Sequence, residues 1–147
     1  MSMILVVDDD PTVRMIAAEI LTTAGHQVIE AADGDEALTL VAANAFDLVV
    51  LDMLMPNKDG LETIVELRRA RPQIRILAIS SGGRMDASQL LRMALVFGAD
   101  ETMAKPLRSE AFSEAVSRLL SRAGVEPDPK SVAAELSAAP GVRGRSF

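Results

Sequence analysis

The sequence predicts an α/β fold with a parallel sheet and helices on both faces, and three observations carry this prediction. Short apolar runs rich in Val, Ile and Leu alternate five times with longer amphipathic segments. The 147 residues correspond to about one average domain. Apolar residue types make up 49% of the chain, which is enough to bury a core. Strand–helix alternation of this length favours parallel strands covered on both sides.

Five short runs are typical of buried parallel strands, since both of their faces are apolar. The last run is the weakest, because only Met103 and Ala104 are plainly apolar. The predicted strands are residues 3–7, 28–31, 48–51, 74–79 and 101–104.

The segments between these runs have helical spacing. Apolar side chains recur at i, i+3, i+4 and i+7 from Val13 to Ala24, and Gly25 supplies a stop after them. Asp10, next to Pro11, is expected at the surface or as the N-cap of this helix. Shorter apolar stripes predict further helices around residues 37–42, 61–65, 86–97 and 112–120.

The composition excludes several functional classes. The chain has no cysteine, which removes disulfide scaffolds, thiolate nucleophiles and Cys-ligated zinc, and His26 is the only histidine. A net charge of −6 argues against a nucleic-acid footprint. The start of the chain lacks a basic segment, and no apolar run approaches the ~18 residues that a membrane span needs. We therefore expect a soluble, cytoplasmic protein without a signal peptide.

The chain divides into residues 1–122 and a tail, residues 123–147. Three of the seven prolines fall in the tail, which has three acidic and three basic residues, so the net charge of −6 belongs to residues 1–122. We expect a flexible extension in which residues 131–139 form at most a short helix.

Polar residues resume directly after four of the predicted strands. Because the carboxyl ends of parallel strands share one edge of a sheet, residues placed there meet in space although they are far apart in sequence. These residues are Asp8, Asp9 and Asp10 after the first strand, Asp52 after the third, Ser80 and Ser81 after the fourth, and Lys105 after the fifth.

This combination of side chains predicts phosphoryl transfer. Neighbouring carboxylates repel one another unless a cation joins them, and Mg²⁺ prefers oxygen ligands and recruits phosphate oxygens. A lysine and a hydroxyl add donors suited to phosphate, and a carboxylate can itself become an aspartyl phosphate. The residues therefore indicate Mg²⁺-assisted phosphoryl transfer onto one of the chain's own acids.

Five motifs together resemble the receiver domain of two-component response regulators, the CheY-like domain. They occur in order and with receiver-like spacing across residues 1–122. The resemblance implies a flavodoxin-like doubly wound sheet of five parallel strands, in the order 2-1-3-4-5, with five helices. The motifs are residues 4–10 (Ile-Leu-Val-Val-Asp-Asp-Asp), residues 51–56 (Leu-Asp-Met-Leu-Met-Pro), Asp59-Gly60, Ser80 and Lys105-Pro106.

The resemblance also implies a magnesium site. Asp8 and Asp9 match the acidic pair that holds Mg²⁺, with Asp9 and Asp52 as direct ligands and Asp8 acting mostly through water. The backbone carbonyl of Leu54 matches the third protein ligand.

The remaining motif residues match the groups that handle the phosphoryl group. Asp52 matches the phosphoacceptor, Ser80 the switch hydroxyl that turns toward the phosphoryl group, and Lys105 the lysine that pairs with it. Pro106 would follow Lys105 through a cis peptide bond.

The sequence departs from the family pattern at two positions. Thr102 stands where an aromatic residue is usual on the fifth strand, and Leu107 stands where Phe often follows Lys-Pro. Both positions bear on how activation is relayed to the face formed by the fourth helix, fifth strand and fifth helix. Leu54 and Gly82 occupy the positions that line the approach of water to the phosphoryl group. Since neither orients water through a polar side chain, we expect slow loss of phosphate.

The function implied is that of a phosphoacceptor response regulator in bacterial-type two-component signalling. The donor would be a phosphohistidine on a sensor histidine kinase or histidine phosphotransfer protein, and the output a phosphorylation-dependent contact with an unknown protein. We expect a stand-alone receiver, monomeric or weakly dimeric, without nucleic-acid or membrane contacts. It would be no enzyme beyond promoting its own phosphorylation and slow autodephosphorylation.

Three alternatives were weighed on sequence features. A degenerate receiver, acting as a constitutive interaction module, would typically lack Asp52, Lys105 or the acidic pair, which are all present. A haloacid-dehalogenase-like phosphatase would want a second acid where Leu54 stands. A flavin-binding protein would want a ring-stacking Trp or Tyr, and the chain has neither.

Overall fold

Five strands and five helices alternate strictly along the chain, as the sequence predicts. The computed structural model describes residues 2–55, 59–81 and 87–125. The motif residue Pro56, the water-approach residue Gly82 and the predicted helix at 131–139 lie outside this part. The elements are β1 Met3–Val7, α1 Pro11–Thr23, β2 Gln27–Ala31, α2 Gly34–Ala43, β3 Leu48–Asp52, α3 Gly60–Ala70, β4 Arg75–Ser80, α4 Ala87–Phe97, β5 Glu101–Ala104 and α5 Ser109–Val125.

The strands form one parallel sheet in the order β2-β1-β3-β4-β5, which confirms the predicted fold class. In the central pair, Val7 of β1 lies opposite Leu51 of β3, so Asp8 and Asp52 follow at neighbouring positions of one edge. On the far side Ser80 pairs with Ala104, which brings Lys105 to the same edge. The register therefore assembles the predicted site residues at the carboxyl ends of β1, β3, β4 and β5.

Two predicted strand ends are wrong by one residue, and the difference matters for the site. Asp52 and Ser80 are the last residues of β3 and β4, whereas the sequence placed them just after these strands. Asp52 pairs with Ile79 across the ladder, and the Met53 N–H donates to the Ile79 carbonyl at 2.9 Å. Both polar side chains are thus fixed by strand geometry, not by a loop.

The core has two layers, one on each face of the sheet, because alternate residues of a strand point to opposite sides. In β1, Leu5 and Val7 pack toward α2, α3 and α4, whereas Ile4 and Val6 pack toward α1 and α5. Full burial of each such side chain contributes about 1.5–3 kcal/mol, so the central strands fix the sheet edge firmly.

The ends of α1 follow the predicted signals. Asp10 is the N-cap, and its side chain accepts the Thr12 N–H at 2.9 Å with Pro11 at the first helical position. Gly25 follows the helix with φ of 97°, a left-handed conformation that favours glycine. The N-cap prediction for Asp10 is confirmed.

Helix α5 continues to Val125, three residues beyond the predicted boundary at residue 122. In the described part of the chain, the helices are too short or too polar to cross a membrane.

Candidate functional site

Three carboxylates converge at the carboxyl edge of the sheet. Asp8, Asp9 and Asp52 each place one carboxylate oxygen within 4.8 Å of the others. Asp8 and Asp52 are buried and Asp9 is exposed. The grouping matches the acidic cluster predicted from the sequence, and it opens to solvent on the side of Asp9.

The two carboxylate oxygens of Asp8 differ in their hydrogen bonding. Its Oδ1 atom accepts the Asp10 N–H at 2.9 Å. Its Oδ2 atom is buried without a hydrogen-bond donor of regular geometry in the described chain, although the Lys105 ammonium lies 2.8 Å away. A buried carboxylate oxygen left in this state is suited to a further cation.

Lys105 provides the positive charge of the cluster. Its Nζ atom lies 2.8 Å from Asp8 Oδ2 and 3.4 Å from Asp52 Oδ1. Burial alone would lower the pKa of Lys105, but the close contact of its ammonium with Asp8 and the charges of Asp52 and Asp8 raise it instead. The lysine is therefore firmly protonated at neutral pH. The peptide bond from Lys105 to Pro106 is cis, as the resemblance implied.

The carboxyl of Asp52 is poorly stabilised in its ionised form. Burial, followed by the charge of Asp8, raises the pKa of Asp52 from 3.8 to about 7. The Lys105 charge and the N–H of Leu54, 3.4 Å from Asp52 Oδ1, act in the opposite direction without cancelling the shift. The single charge of Lys105 is thus insufficient to stabilise the ionised form of Asp52, and a divalent cation would supply further positive charge.

The loop after β3 is held against the start of α3. A Cβ atom on Gly60 would lie 2.6 Å from the Met53 Cα and 3.0 Å from the Asp52 carbonyl oxygen, so only glycine fits there. Asp59 caps α3 by accepting the Glu62 N–H at 2.8 Å. The Asp-Gly motif therefore packs the helix start directly on the backbone of Asp52.

Leu54 has a backbone role and a side-chain role in this loop. Its N–H faces Asp52, and its side chain is 41% exposed beside the site. Its carbonyl stays a predicted metal ligand.

Ser80 lies at the same edge, where its side chain is fully buried. Its hydroxyl donates to the Ser81 carbonyl at 3.1 Å. If the hydroxyl turned toward a phosphoryl group on Asp52, it would lose its hydrogen bond to the Ser81 carbonyl and gain one to the phosphoryl group. On β5, the half-buried Thr102 lies opposite Ala78 of β4, at the position where the family usually carries an aromatic.

Sequence reasoning missed one residue that contacts the acidic loop. Arg14 on α1 donates through Nη1 to the Asp8 carbonyl at 2.6 Å and pairs through Nε with Glu30 at 3.1 Å. The only signal in the sequence was a basic residue one helical turn after the acidic run. Sequence alone did not relate it to Glu30 on β2.

The donor set fits Mg²⁺. It consists of carboxylate oxygens from two loops or strand ends, one of them buried without a regular hydrogen bond, and hard oxygen ligands are those that Mg²⁺ prefers. An excess of negative charge over the single lysine adds to this fit. The residues that could hold the ion are Asp8, Asp9 and Asp52, with the Leu54 carbonyl as the further ligand that the resemblance implies.

Comparison with known proteins identifies the family. Residues 4–117 match the response regulator receiver domain, and the chain belongs to this family.

The relatives include larger proteins. The chain is 38% identical over 133 residues to the transcriptional regulatory protein TcrA of Mycobacterium tuberculosis, covering 89% of this chain and 50% of that protein. It is 38% identical over 134 residues to the response regulator MprA of Mycobacterium avium, covering 91% of this chain and 58% of that protein. The chain therefore spans about half the length of these relatives.

Among solved structures, the receiver domain of NtrX from Brucella abortus superposes with a TM-score of 0.75 at 31% identity. The match covers 80% of this chain and 98% of that domain.

Proposed function

We propose that this receiver domain accepts a phosphoryl group on Asp52 from a phosphohistidine donor, with Mg²⁺ bound beside it. One observation carries the proposal. Asp52 is the buried carboxylate at the end of a central strand that lies within reach of both the acidic pair and the Lys105 ammonium. A carboxylate in these surroundings can act as a nucleophile toward a phosphoryl group while a cation is bound beside it.

The transfer is balanced as a displacement at phosphorus. A carboxylate oxygen of Asp52 attacks the phosphorus, the bond from phosphorus to the donor's histidine nitrogen breaks, and that nitrogen keeps the electron pair. Bound Mg²⁺ would neutralise charge on the carboxylates and the phosphoryl oxygens. Asp9 and Asp52 would hold it directly, Asp8 through water, and Leu54 through its carbonyl.

Lys105 and Ser80 act on the transferred group itself. Lys105 already lies 3.4 Å from Asp52 Oδ1, so its ammonium can pair with a phosphoryl oxygen on that atom. Ser80 would turn its hydroxyl from the Ser81 carbonyl to the phosphoryl group. Because this exchange costs one hydrogen bond and gains another, a small free-energy change at Asp52 can drive it.

The wider assignment follows from the family. The donor would be a sensor histidine kinase or histidine phosphotransfer protein, the compartment the cytoplasm, and the output a contact with a downstream protein as a monomer or weak dimer. The stand-alone arrangement and the absence of nucleic-acid contacts stay predictions, since the chain spans about half the length of relatives named as regulators.

The labelling experiment uses the full chain with acetyl phosphate and Mg²⁺, followed by mass spectrometry. Wild type should gain one phosphoryl group and Asp52→Asn none. Asp10→Asn is the matched control, because it alters the same edge, retains an N-cap and leaves the proposed ligands intact. Equal labelling of wild type and Asp52→Asn would contradict the assignment. A folded wild type that takes no label would favour a constitutive interaction module.

The lifetime of the phosphorylated state should depend on Leu54. Its side chain is exposed and apolar, two residues after Asp52, and offers no hydrogen bond to an attacking water. We expect slow self-dephosphorylation, and Leu54→Asn should accelerate decay of the label by about threefold to tenfold, the scale of one added water-orienting hydrogen bond. The decay is followed after removal of acetyl phosphate, with Thr102→Tyr as a control that should change it little. A Leu54→Asn variant that decays at the wild-type rate would show that this side chain does not limit hydrolysis.

A further inference from the structure

We propose that Arg14 is a positioning residue for Asp9, and through it for Mg²⁺ affinity. The inference rests on the proposed function and extends it to a residue that touches neither metal nor phosphate. The Arg14 side chain is largely buried, with 19% of it exposed, and its guanidinium bonds the Asp8 carbonyl and Glu30 on β2.

The backbone of Asp8 is held from two sides. Its N–H donates to the Ala31 carbonyl of β2 at 3.1 Å, and its carbonyl accepts from Arg14 Nη1 at 2.6 Å. The same guanidinium is anchored to β2 by Glu30, at 3.1 Å. Arg14 thus links the end of β1 to β2 through these two bonds.

The hydrogen bond from Arg14 to the Asp8 carbonyl also constrains Asp9, because a peptide group is planar. The Asp8 carbonyl and the Asp9 N–H belong to one rigid unit, so an arginine that fixes the carbonyl also fixes where the Asp9 Cα begins. The Asp8 carboxylate is held by the Asp10 N–H and Lys105, and Asp52 is held by the β3 ladder. The exposed Asp9 carboxylate depends on its backbone for direction, so Arg14 acts chiefly on this ligand.

A second arginine offers an internal control. Arg118 on α5 pairs with Glu101 on β5 at 2.8 Å, the same helix-to-strand arrangement as Arg14 with Glu30. Its guanidinium bonds a carboxylate on β5, the strand that precedes Lys105, and is 59% exposed. Removing Arg118 eliminates one ion pair and no bond to the acidic loop. Removing Arg14 eliminates an ion pair with Glu30 and also the hydrogen bond to the Asp8 carbonyl.

The test measures the Mg²⁺ dissociation constant of the full chain by calorimetry. Arg14→Met keeps much of the side-chain length and removes all donors, and it should weaken Mg²⁺ binding about tenfold, as loss of partners that orient metal ligands does. Glu30→Gln keeps the Arg14 bond to the carbonyl, and Arg118→Met removes the control pair. Both should stay within about twofold of wild type.

The second readout needs no metal. In ¹H–¹⁵N spectra of the Mg²⁺-free protein, Arg14→Met should move the Asp9 amide resonance more than that of Asp52. If Arg14→Met does not fold, Arg14→Lys serves instead, because one ammonium cannot bridge both Asp8 and Glu30. It should weaken Mg²⁺ binding by about threefold, a partial loss.

The outcomes separate this inference from the proposed function. Wild type that binds Mg²⁺, with an unchanged constant in Arg14→Met or in its lysine substitute, would overturn the inference and leave the function standing. An unmoved Asp9 amide, or an equal loss in Arg118→Met, would overturn it as well. A wild type that binds no Mg²⁺ would contradict both.

Discussion

Two clusters of ionisable side chains lie at opposite ends of the strands of the same sheet, and they differ in the sign of their excess charge. The carboxyl-edge cluster contains Asp8, Asp9 and Asp52 around Lys105. The amino-edge cluster contains Arg68 in the last turn of α3, Arg75 at the start of β4 and Asp100 just before β5. The first has an excess of carboxylates and the second an excess of cations.

The amino-edge cluster is bridged by hydrogen bonds and ion pairs, although the buried Arg75 Nε has no hydrogen-bond acceptor among the described residues. Asp100 Oδ2 lies 2.6 Å from Arg68 Nη2 and accepts the Ile76 N–H at 2.8 Å, and Arg75 approaches its other oxygen at 3.7 Å. Arg68 also donates to the Gly98 carbonyl at 2.9 Å. Each of these hydrogen bonds joins two parts of the chain, so the cluster connects α3 and β4 with the segment between α4 and β5.

The glycine in this network is required by the arginine. Gly98 has φ of 130°, a left-handed conformation, and a Cβ there would lie 2.9 Å from Arg68 Cγ. Arg68 lies in the last turn of α3, and its guanidinium bonds the Gly98 and Ile74 carbonyls and the Asp100 carboxylate. The comparison teaches that a charge cluster whose hydrogen bonds link several elements holds the fold, whereas carboxylates that converge around one lysine are suited to a cation.

The largest effect should come from breaking the amino-edge cluster. Asp100→Ala removes the acceptor of Arg68 and of the Ile76 N–H, and we expect it to lower the free energy of unfolding by about 3 kcal/mol. Urea denaturation measures this, with the exposed Glu19→Ala on α1 as the control. A loss no larger than that of Glu19→Ala would show that the network contributes little to stability.

Mg²⁺ should act only at the carboxyl edge. Binding to the folded state alone adds about 2.7 kcal/mol at a hundredfold excess over the dissociation constant. Thermal melts of wild type with and without Mg²⁺ should therefore differ, Asp9→Asn should reduce the difference, and Asp100→Asn should keep it. If Asp9→Asn responds as wild type does, Asp9 is not a ligand.

An effect of opposite sign is expected at Asp52. In the absence of Mg²⁺, Asp52→Asn removes a buried, incompletely paired charge and should raise the free energy of unfolding at pH 8, where the folded wild type carries Asp52 in its ionised form.

The gain at Asp52 should depend on pH in a defined direction. The folded-state pKa of about 7 lies above the ordinary value of 3.8, so the folded state binds the proton more tightly than the unfolded state. The wild type should therefore lose stability relative to Asp52→Asn as pH rises from about 4 to 7. The two proteins should be alike near pH 4 and differ by a constant amount above pH 8. A pH-independent difference would mean that titration of Asp52 is not its cause.

Much of the fold was predictable because it depends on local sequence patterns that can be recognised without knowing the tertiary contacts. The apolar run of β1, the N-cap Asp10 and the stop at Gly25 each depend on nearby residues, and the structure bears them out. The ends of β3 and β4 were misplaced because a polar residue looks like the end of a strand. Ladder pairing nevertheless continues through Asp52 and Ser80.

The sequence by itself determined which chemistry could gather at the carboxyl edge, because parallel strands deliver their carboxyl ends to one place. Only the tertiary structure decided how the charges are shared: Lys105 between Asp8 and Asp52, Arg14 on the Asp8 carbonyl, and Ser80 on the Ser81 carbonyl. The physical reason is distance. A parallel sheet follows from periodicity and connection rules, and its strand order from the family resemblance. An ion pair or hydrogen bond exists only within about 3 to 4 Å of its partner, a separation fixed by packing across the whole domain.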